Sequence, residues 1–199
     1  MAAALLVGAT PDASVRHPVA GHYNVPRFYV QLPTTTDVVN VITNSSFESG
    51  NIGGGWFSCG DAGAFVTREH PYRGAFAEYS GTQNGVGEPK GNSGVCQQVI
   101  VPPGAVLTAR LYQLSNETDT SFAYQEADLL DDRGEVILNL YKAVNNKAVW
   151  RLGTWNLAAY AGRRVWVYFG VHGDGFTKLS TQQFLDRVIL TGARPPGFK

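Results

Sequence analysis

Charge is scarce in this sequence. Only 16% of its 199 residues are Asp, Glu, Lys or Arg, and the 16 basic and 16 acidic side chains cancel. A usual fraction is ~25%. Neutrality without a basic cluster excludes the electrostatic footprint of a nucleic-acid binder. Long apolar runs are missing too. None approaches the roughly 20 residues that a membrane-spanning helix needs. The opening "MAAALLVGAT" has no basic residue before its short apolar run, unlike the charged start and longer apolar stretch of a secretory leader. Catalytic signatures are absent. There is no Gly-x-Ser-x-Gly elbow and no His-Glu-x-x-His helix. "GEPKGNSG" has glycines and a lysine without the order of a phosphate loop. The four histidines, His17, His22, His70 and His172, are scattered. Cysteine occurs only twice, at Cys59 and Cys96. These could be two free buried thiols. The expected alternative is one disulfide, worth about 3–4 kcal/mol on a chain-entropy argument and implying an oxidising or extracellular setting.

What is present favours strands and turns. Glycine reaches 23 residues and aromatics 12%, alongside Thr and Val. From Val38 onward, short strand-like segments recur: "VVNVI", "GAFVT", "GAFAEYS", "CQQVIV", "AVLTARLYQL", "YQEADLL", "EVILNL", "VWRLGTWNL", "RVWVYFGV" and "QQFLDRVIL". Turn clusters such as "GNIGGG", "GTQNGVGEPKGNSG", "VPPGA", "DDRGE" and "VHGDG" separate them. In "RVWVYFGV", Val165, Val167 and Phe169 share one face, and Trp166 and Tyr168 share the other. No amphipathic helix and no internal repeat is visible. The chain is therefore expected to be all-β, a two-sheet antiparallel β-sandwich.

Residues 1–36 differ from the rest. They hold four prolines within "PDASVRHPVAGHYNVPRFYVQLPTTT" and one strand-like piece, "RFYVQL" from Arg27 to Leu32. Proline removes backbone donors and fixes φ, so this part is expected to be an extended arm. Such an arm is expected to lie on its own domain or to add a strand to a neighbour's sheet edge. The sandwich is assigned to 37–193 and a short tail to 194–199.

The order of "NSSFESGNIGGGW", "REHPYRGAFAEYSG", "CQQVIVPPGAVLTARLY", "GTWNLAAYAGRRVWVYFGVHGDG" and "FLDRVIL" resembles the jelly-roll family of carbohydrate-binding modules and galactose-binding-like domains. It is most similar to the versions appended to secreted bacterial proteases and glycosidases. The resemblance spans about residues 38–192 and leaves the arm unexplained. It implies a jelly roll with a structural calcium ion, held by Glu48 and Asp186 with backbone oxygens around Arg68–Gly74. Phe47 would then enter the core, the glycines would turn the chain, and Trp56 would cap the sandwich. Oxygen ligands of this kind suit Ca²⁺. Asp186 sits inside an apolar strand, where an unpaired carboxylate is costly. The alternative is that Glu48 and Asp186 cap turns or pair with Arg68 or Arg187. Relatives often carry a second acidic residue where this chain has Arg187.

Tyr124, Gln125, Glu126, His172 and Asp174 are expected near strand ends, as in the family it resembles. Convergent, they would bind sugar hydroxyls or a second ion, or else form a polar network stabilising a loop. Glu126 with His172 also has the makings of an acid–base pair. Sugars stack on flat aromatic rings, which makes Trp150, Trp155, Trp166, Tyr168, Tyr124 and Phe176 candidates. Trp166 and Tyr168 stand out because alternation puts them opposite the apolar face, expected to meet either a glycan or a covering arm or subunit. Two functions fit. One is a free-standing secreted glycan-binding module. The other, favoured by the arm, is a non-catalytic binding or structural subunit of an extracellular or virion surface assembly, oligomeric and docked through residues 1–36.

Overall fold

A computed structural model of the protein describes residues 40–82, 87–175 and 180–192. The arm and the tail lie outside the described residues. Ten strands are described: β1 (Trp56–Gly60), β2 (Phe65–Thr67), β3 (Ala77–Gly81), β4 (Lys90–Ile100), β5 (Val106–Ser115), β6 (Tyr124–Leu130), β7 (Val136–Ala143), β8 (Arg151–Asn156), β9 (Arg164–Asp174) and β10 (Thr181–Thr191). A short 3-10 helix, Ala158–Tyr160, precedes β9. The strands form two five-stranded antiparallel sheets, ordered β1-β4-β9-β6-β7 and β2-β3-β10-β5-β8. The expected β-sandwich is the observed one. No helix among the described residues is long and apolar enough to cross a membrane.

Period-two alternation builds the core. Val165, Val167 and Phe169 of β9, Val95 and Val99 of β4, and Ala127 and Leu129 of β6 face Leu107, Ala109 and Leu111 of β5 and Leu185 and Leu190 of β10. Phe47 is fully buried in this layer, with its ring 5.3 Å from that of Trp56. The Trp56 indole donates to the Asn44 carbonyl at 3.2 Å. The glycines of 50–55 let the chain double back: Gly50, Gly54 and Gly55 all have positive φ. Trp155 joins the core beside Tyr141, whereas Trp150 packs on the outside of the second sheet against Tyr112 and Tyr72.

Two strands depart from the sequence reading. β1 grows from Trp56–Gly60, which is not among the strand-like segments. β4 starts at Lys90, inside the glycine-rich "GEPKGNSG" taken as loop. The cause is tertiary: every residue of β4 pairs along the whole of β9, from Lys90↔Asp174 to Ile100↔Arg164. The described part of "VVNVI", Asn40–Ile42, is not a strand, although the Val41 amide bonds the Leu190 carbonyl at 3.0 Å.

The sandwich is apolar at one end and polar at the other. Gln113 donates to Gln183 at 2.9 Å and accepts from Asn145 at 3.1 Å and Arg151 at 2.9 Å. Glu78 is completely buried nearby, with one oxygen bonded to the Ser80 hydroxyl and the other lacking any partner among the described residues. Burial, opposed by the Ser80 bond, holds its carboxyl well above the usual range. A raised carboxyl contributes stability that is complete below its unfolded value, near 4.5, and lost as pH rises through the native value. Glu78→Gln should therefore raise the melting temperature more at pH 8 than at pH 5. An equal shift at both pH values would overturn this account.

Cys59 and Cys96 form the expected disulfide, with Cα atoms 5.8 Å apart and a sequence separation of 37. It joins edge strand β1 to β4, and Cys96 lies in the middle of β4 rather than opening a strand. Replacing both cysteines with Ala should lower unfolding free energy by about 3–4 kcal/mol in urea titrations. A loss under ~1 kcal/mol would show that the cross-link hardly constrains the unfolded chain.

Candidate functional site

The outer face of the β1-β4-β9-β6-β7 sheet follows from the register. Row by row it carries Asn92, His172 and Tyr124; then Gly94, Gly170 and Glu126, opposite Lys142; then Cys96, Tyr168 and Asp128; and finally Gln98, Trp166 and Leu130. The Tyr168 ring lies flat along the sheet because Gly94 and Gly170 leave room. A Cβ at Gly94 would come 2.7 Å from the Tyr168 oxygen, and one at Gly170 would overlap it. The disulfide and Leu130 flank Tyr168 and Trp166. Asp128 accepts from the Asn139 side chain at 2.7 Å. The His172 Nδ1 lies 2.7 Å from Asn92 Oδ1, and its ring stacks on Tyr124 at 4.9 Å. The Lys142 ammonium sits 3.6 Å from the centre of the Tyr124 ring. Burial, then the Lys142 charge, pushes the His172 pKa down, which favours neutral imidazole. Burial, then the charges of Glu126 and Asp128, pushes the Tyr168 phenol well up.

Two sets of candidates take the alternative reading rather than that of an open binding surface. Trp166 and Tyr168 do stand opposite the apolar face, but they are 1% and 0% exposed rather than open to solvent. Alternation assigns a side chain to a face and says nothing of what overlies it. Gln125 belongs to the opposite side of β6. It is buried between the sheets, where its amide donates to the carbonyls of Leu114, Asn145 and Gln182. It holds loops together and does not join Glu126. Tyr124, Glu126 and His172 do converge. Asp174 is exposed at the end of β9, beside Glu88 and Glu117; burial, then Asp174, pushes the Glu88 pKa up to about 7. Phe176 lies outside the described residues.

The expected calcium residues meet elsewhere, on the outside of the second sheet. Asp186 is fully buried at the bulge where β10 shifts register against β5. Its Oδ2 accepts from the amides of Tyr72 and Arg73 at 2.9 and 3.1 Å, and its Oδ1 from that of Arg187 at 2.6 Å. Glu48 accepts from the amides of Ala75 and Phe76 at 3.0 and 3.3 Å. One loop, residues 72–76, is thus held by two carboxylates remote from each other in sequence. Burial raises the Asp186 pKa, the three amides oppose this, and the Glu48 charge adds to it. Of the alternative, the turn-capping half is what the amides show, and among the described residues neither carboxylate is bonded to an arginine side chain. Arg68 lies over the Phe76 ring at 4.5 Å, and Arg187 adopts φ 49° in the bulge. Phe47, His70 and Arg187, next to Glu48, the loop and Asp186 in sequence, have positive φ. Among the described residues no group of three or more His, Cys, Asp or Glu side chains is placed to hold an ion.

Asn92, Asp128, Lys142 and the glycine pair Gly94 and Gly170 were not foreseen. Asp128 was within reach of the sequence, since it lies two residues beyond Glu126 on a strand and so shares its face. Asn92 and Gly94 were hidden by the reading of their segment as loop.

The fold is that of a carbohydrate-binding-module-like jelly roll. Among solved structures, the chain is similar to the TmCBM61 carbohydrate-binding module, determined in complex with β-1,4-galactotriose, at 15% identity and TM-score 0.53, covering 77% of this chain and 99% of that one. It is similar to a cleaved adhesin domain of Lys-gingipain from Porphyromonas gingivalis at 16% identity and TM-score 0.55, covering 74% and 97%. A β-sandwich carbohydrate-binding module of promiscuous specificity is similar at 16% identity and TM-score 0.50, covering 75% and 62%. No family profile and no curated protein matches the sequence.

Gly74 has φ 78°, and a Cβ there would overlap the Glu48 carboxylate. Gly74→Ala should destabilise the protein by about 1–3 kcal/mol, from backbone strain and loss of the Glu48 contact. Thermal melts of this variant with Glu48→Ala would show less than additive losses; full additivity would disprove the coupling.

Proposed function

We propose that the protein is a non-catalytic glycan-binding module of the carbohydrate-binding type, working at an extracellular or virion surface. The observation that carries this reading is the cluster on the outer face of the first sheet in which the His172 ring stacks on Tyr124 beside Asn92, Glu126 and Lys142, with the buried Tyr168 ring supporting it over two glycines. A sugar needs a planar apolar surface for its C–H face and nearby acceptors and donors for its hydroxyls. The fold shared with modules solved on oligosaccharides supports it, and the disulfide is in keeping with an oxidising compartment. A second reading, a structural subunit docked through residues 1–36, is supported by the burial of Trp166 and Tyr168, since a face already covered behaves as an interface. Both include a structural calcium held by Glu48, Asp186 and carbonyls of the 68–74 loop. The donor set is hard oxygen, and Asp186 is a buried carboxylate held near a second carboxylate, Glu48, with no cationic side chain bonded to it among the described residues.

A glycan array on the full chain should show weak binding, millimolar to micromolar, to at least one polysaccharide class. Tyr168→Ala and Glu126→Ala should each reduce it at least tenfold while circular dichroism remains that of wild type. No binding across the array would remove the glycan reading, and concentration-dependent oligomers in size-exclusion chromatography would then favour the docked subunit.

Melting in excess calcium against excess chelator should shift the transition of wild type by several degrees and leave Glu48→Gln/Asp186→Asn unshifted. Identical melts for wild type would exclude the ion.

A further inference from the structure

The outer face of the second sheet carries a row of aromatic rings. The register sets Phe65 opposite Tyr79, Tyr79 opposite Phe184, and Phe184 opposite Tyr112. Their centres lie 4.9, 4.8 and 5.7 Å apart in turn. Trp150, 5.7 Å beyond Tyr112, extends the row to the start of edge strand β8. The 68–76 segment crosses this face. His70 stacks on Tyr112 at 4.5 Å, and Tyr72 meets Trp150 edge-on at 5.6 Å. Tyr72, Tyr112 and Trp150 remain half-buried rather than closed off.

Three arginines stand on rings of this face. Arg68 lies over Phe76 at 4.5 Å, and Arg110 and Arg73 lie over Tyr72 at 4.5 and 5.9 Å. None of the three is bonded to a carboxylate among the described residues. Arg110 sits directly opposite Asp186 across β5 and β10, where opposite charges ordinarily pair. Asp186 instead accepts from the amides of Tyr72, Arg73 and Arg187. Arg110 is thereby left half-buried on a ring. Glu48 is likewise committed to the amides of Ala75 and Phe76, and Glu69 lies by Tyr79, further along the row. Two positive groups thus converge on one tyrosine.

We infer that Arg110, Arg73, Tyr72 and Trp150 form a second binding site, and that its ligand is an acidic polysaccharide. The guanidiniums take a uronate carboxylate, and the rings take the C–H face of the sugar that bears it. A guanidinium offers paired N–H donors that match a carboxylate, whereas a neutral sugar would leave both charges unmet. Flat rings beside those donors favour a sugar acid over an acidic peptide, which has no face to stack. Leu152, opposite Arg110 on β8 and 54% exposed, continues the apolar surface toward solvent. This site lies across the sandwich from Tyr124 and His172, so it goes beyond the glycan reading of the first sheet, and either can fail without the other.

Calorimetric titration of the full chain tests it. The probes are hexamers of galacturonate, mannuronate and guluronate, their methyl esters, and hexaglutamate, each run in chelator and again in calcium. At least one uronate hexamer should bind at least tenfold more tightly than its own ester and than hexaglutamate, and the affinity should fall at least fivefold between roughly 0.05 and 0.5 M NaCl. Arg110→Gln and Arg73→Gln should each weaken it at least tenfold, while Tyr168→Ala, on the other sheet, leaves it unchanged. Both variants keep the Tyr72 and Arg73 amides that Asp186 holds, so their thermal melts should match wild type. Arg73 is exposed, so its variant decides the matter even if Arg110→Gln unfolds. No uronate bound in either buffer, ester bound as well as acid, or affinity unmoved by Arg73→Gln would overturn the inference. Hexaglutamate bound as tightly as any uronate would also overturn it and assign the surface to an acidic protein. Loss on Tyr168→Ala instead would move the uronate to the first sheet. Binding that requires calcium and ignores both arginine variants would show an ion bridge at Glu48 and Asp186, again against the inference. Uronate binding that meets these conditions, with no neutral saccharide bound on the array, supports this site and leaves the first-sheet reading without support.

Discussion

The structure depends on the pleat of β9. This strand is the centre of the first sheet, and alternation divides it into two sets with different work. Val165, Val167 and Phe169 point inward and meet the second sheet, burying the apolar area that drives the two layers together. Trp166, Tyr168, Gly170 and His172 point outward and form the middle of the candidate surface. Moving the strand by one residue would exchange these sets, placing Trp166 in a core sized for valine and leaving the outer face aliphatic. Long pairing with β4 and β6 on either side fixes that register. The core and the candidate site are therefore consequences of the same geometric constraint.

The second site is built from loops and needs a different means of restraint. The 72–76 segment has no strand partners, so its amides are satisfied by two carboxylates, Glu48 and Asp186, arriving from separate parts of the chain. The β10 bulge aims Asp186, the turn after Phe47 aims Glu48, and Gly74 supplies the space. Burial raises the Asp186 pKa most, the three amides oppose it, and the nearby Glu48 charge adds to it.

Much of this was legible in the sequence, for identifiable reasons. Strands with clean alternation, such as β5 and β9, and the β-sandwich they make, followed from period and composition. The meeting of Glu48 with Asp186 was accessible only through family resemblance, because no spacing rule links positions so far apart. Glycine misled at Gly91 and Gly94: a residue depleted in strands reads as loop, yet Gly94 is where a flat tyrosine needs the absence of a side chain. Alternation put Trp166 and Tyr168 on the outer face, as observed, but it distinguishes two faces without telling whether the outer one is covered. Gln125 was grouped with its neighbours by position, where the pleat separates it from them.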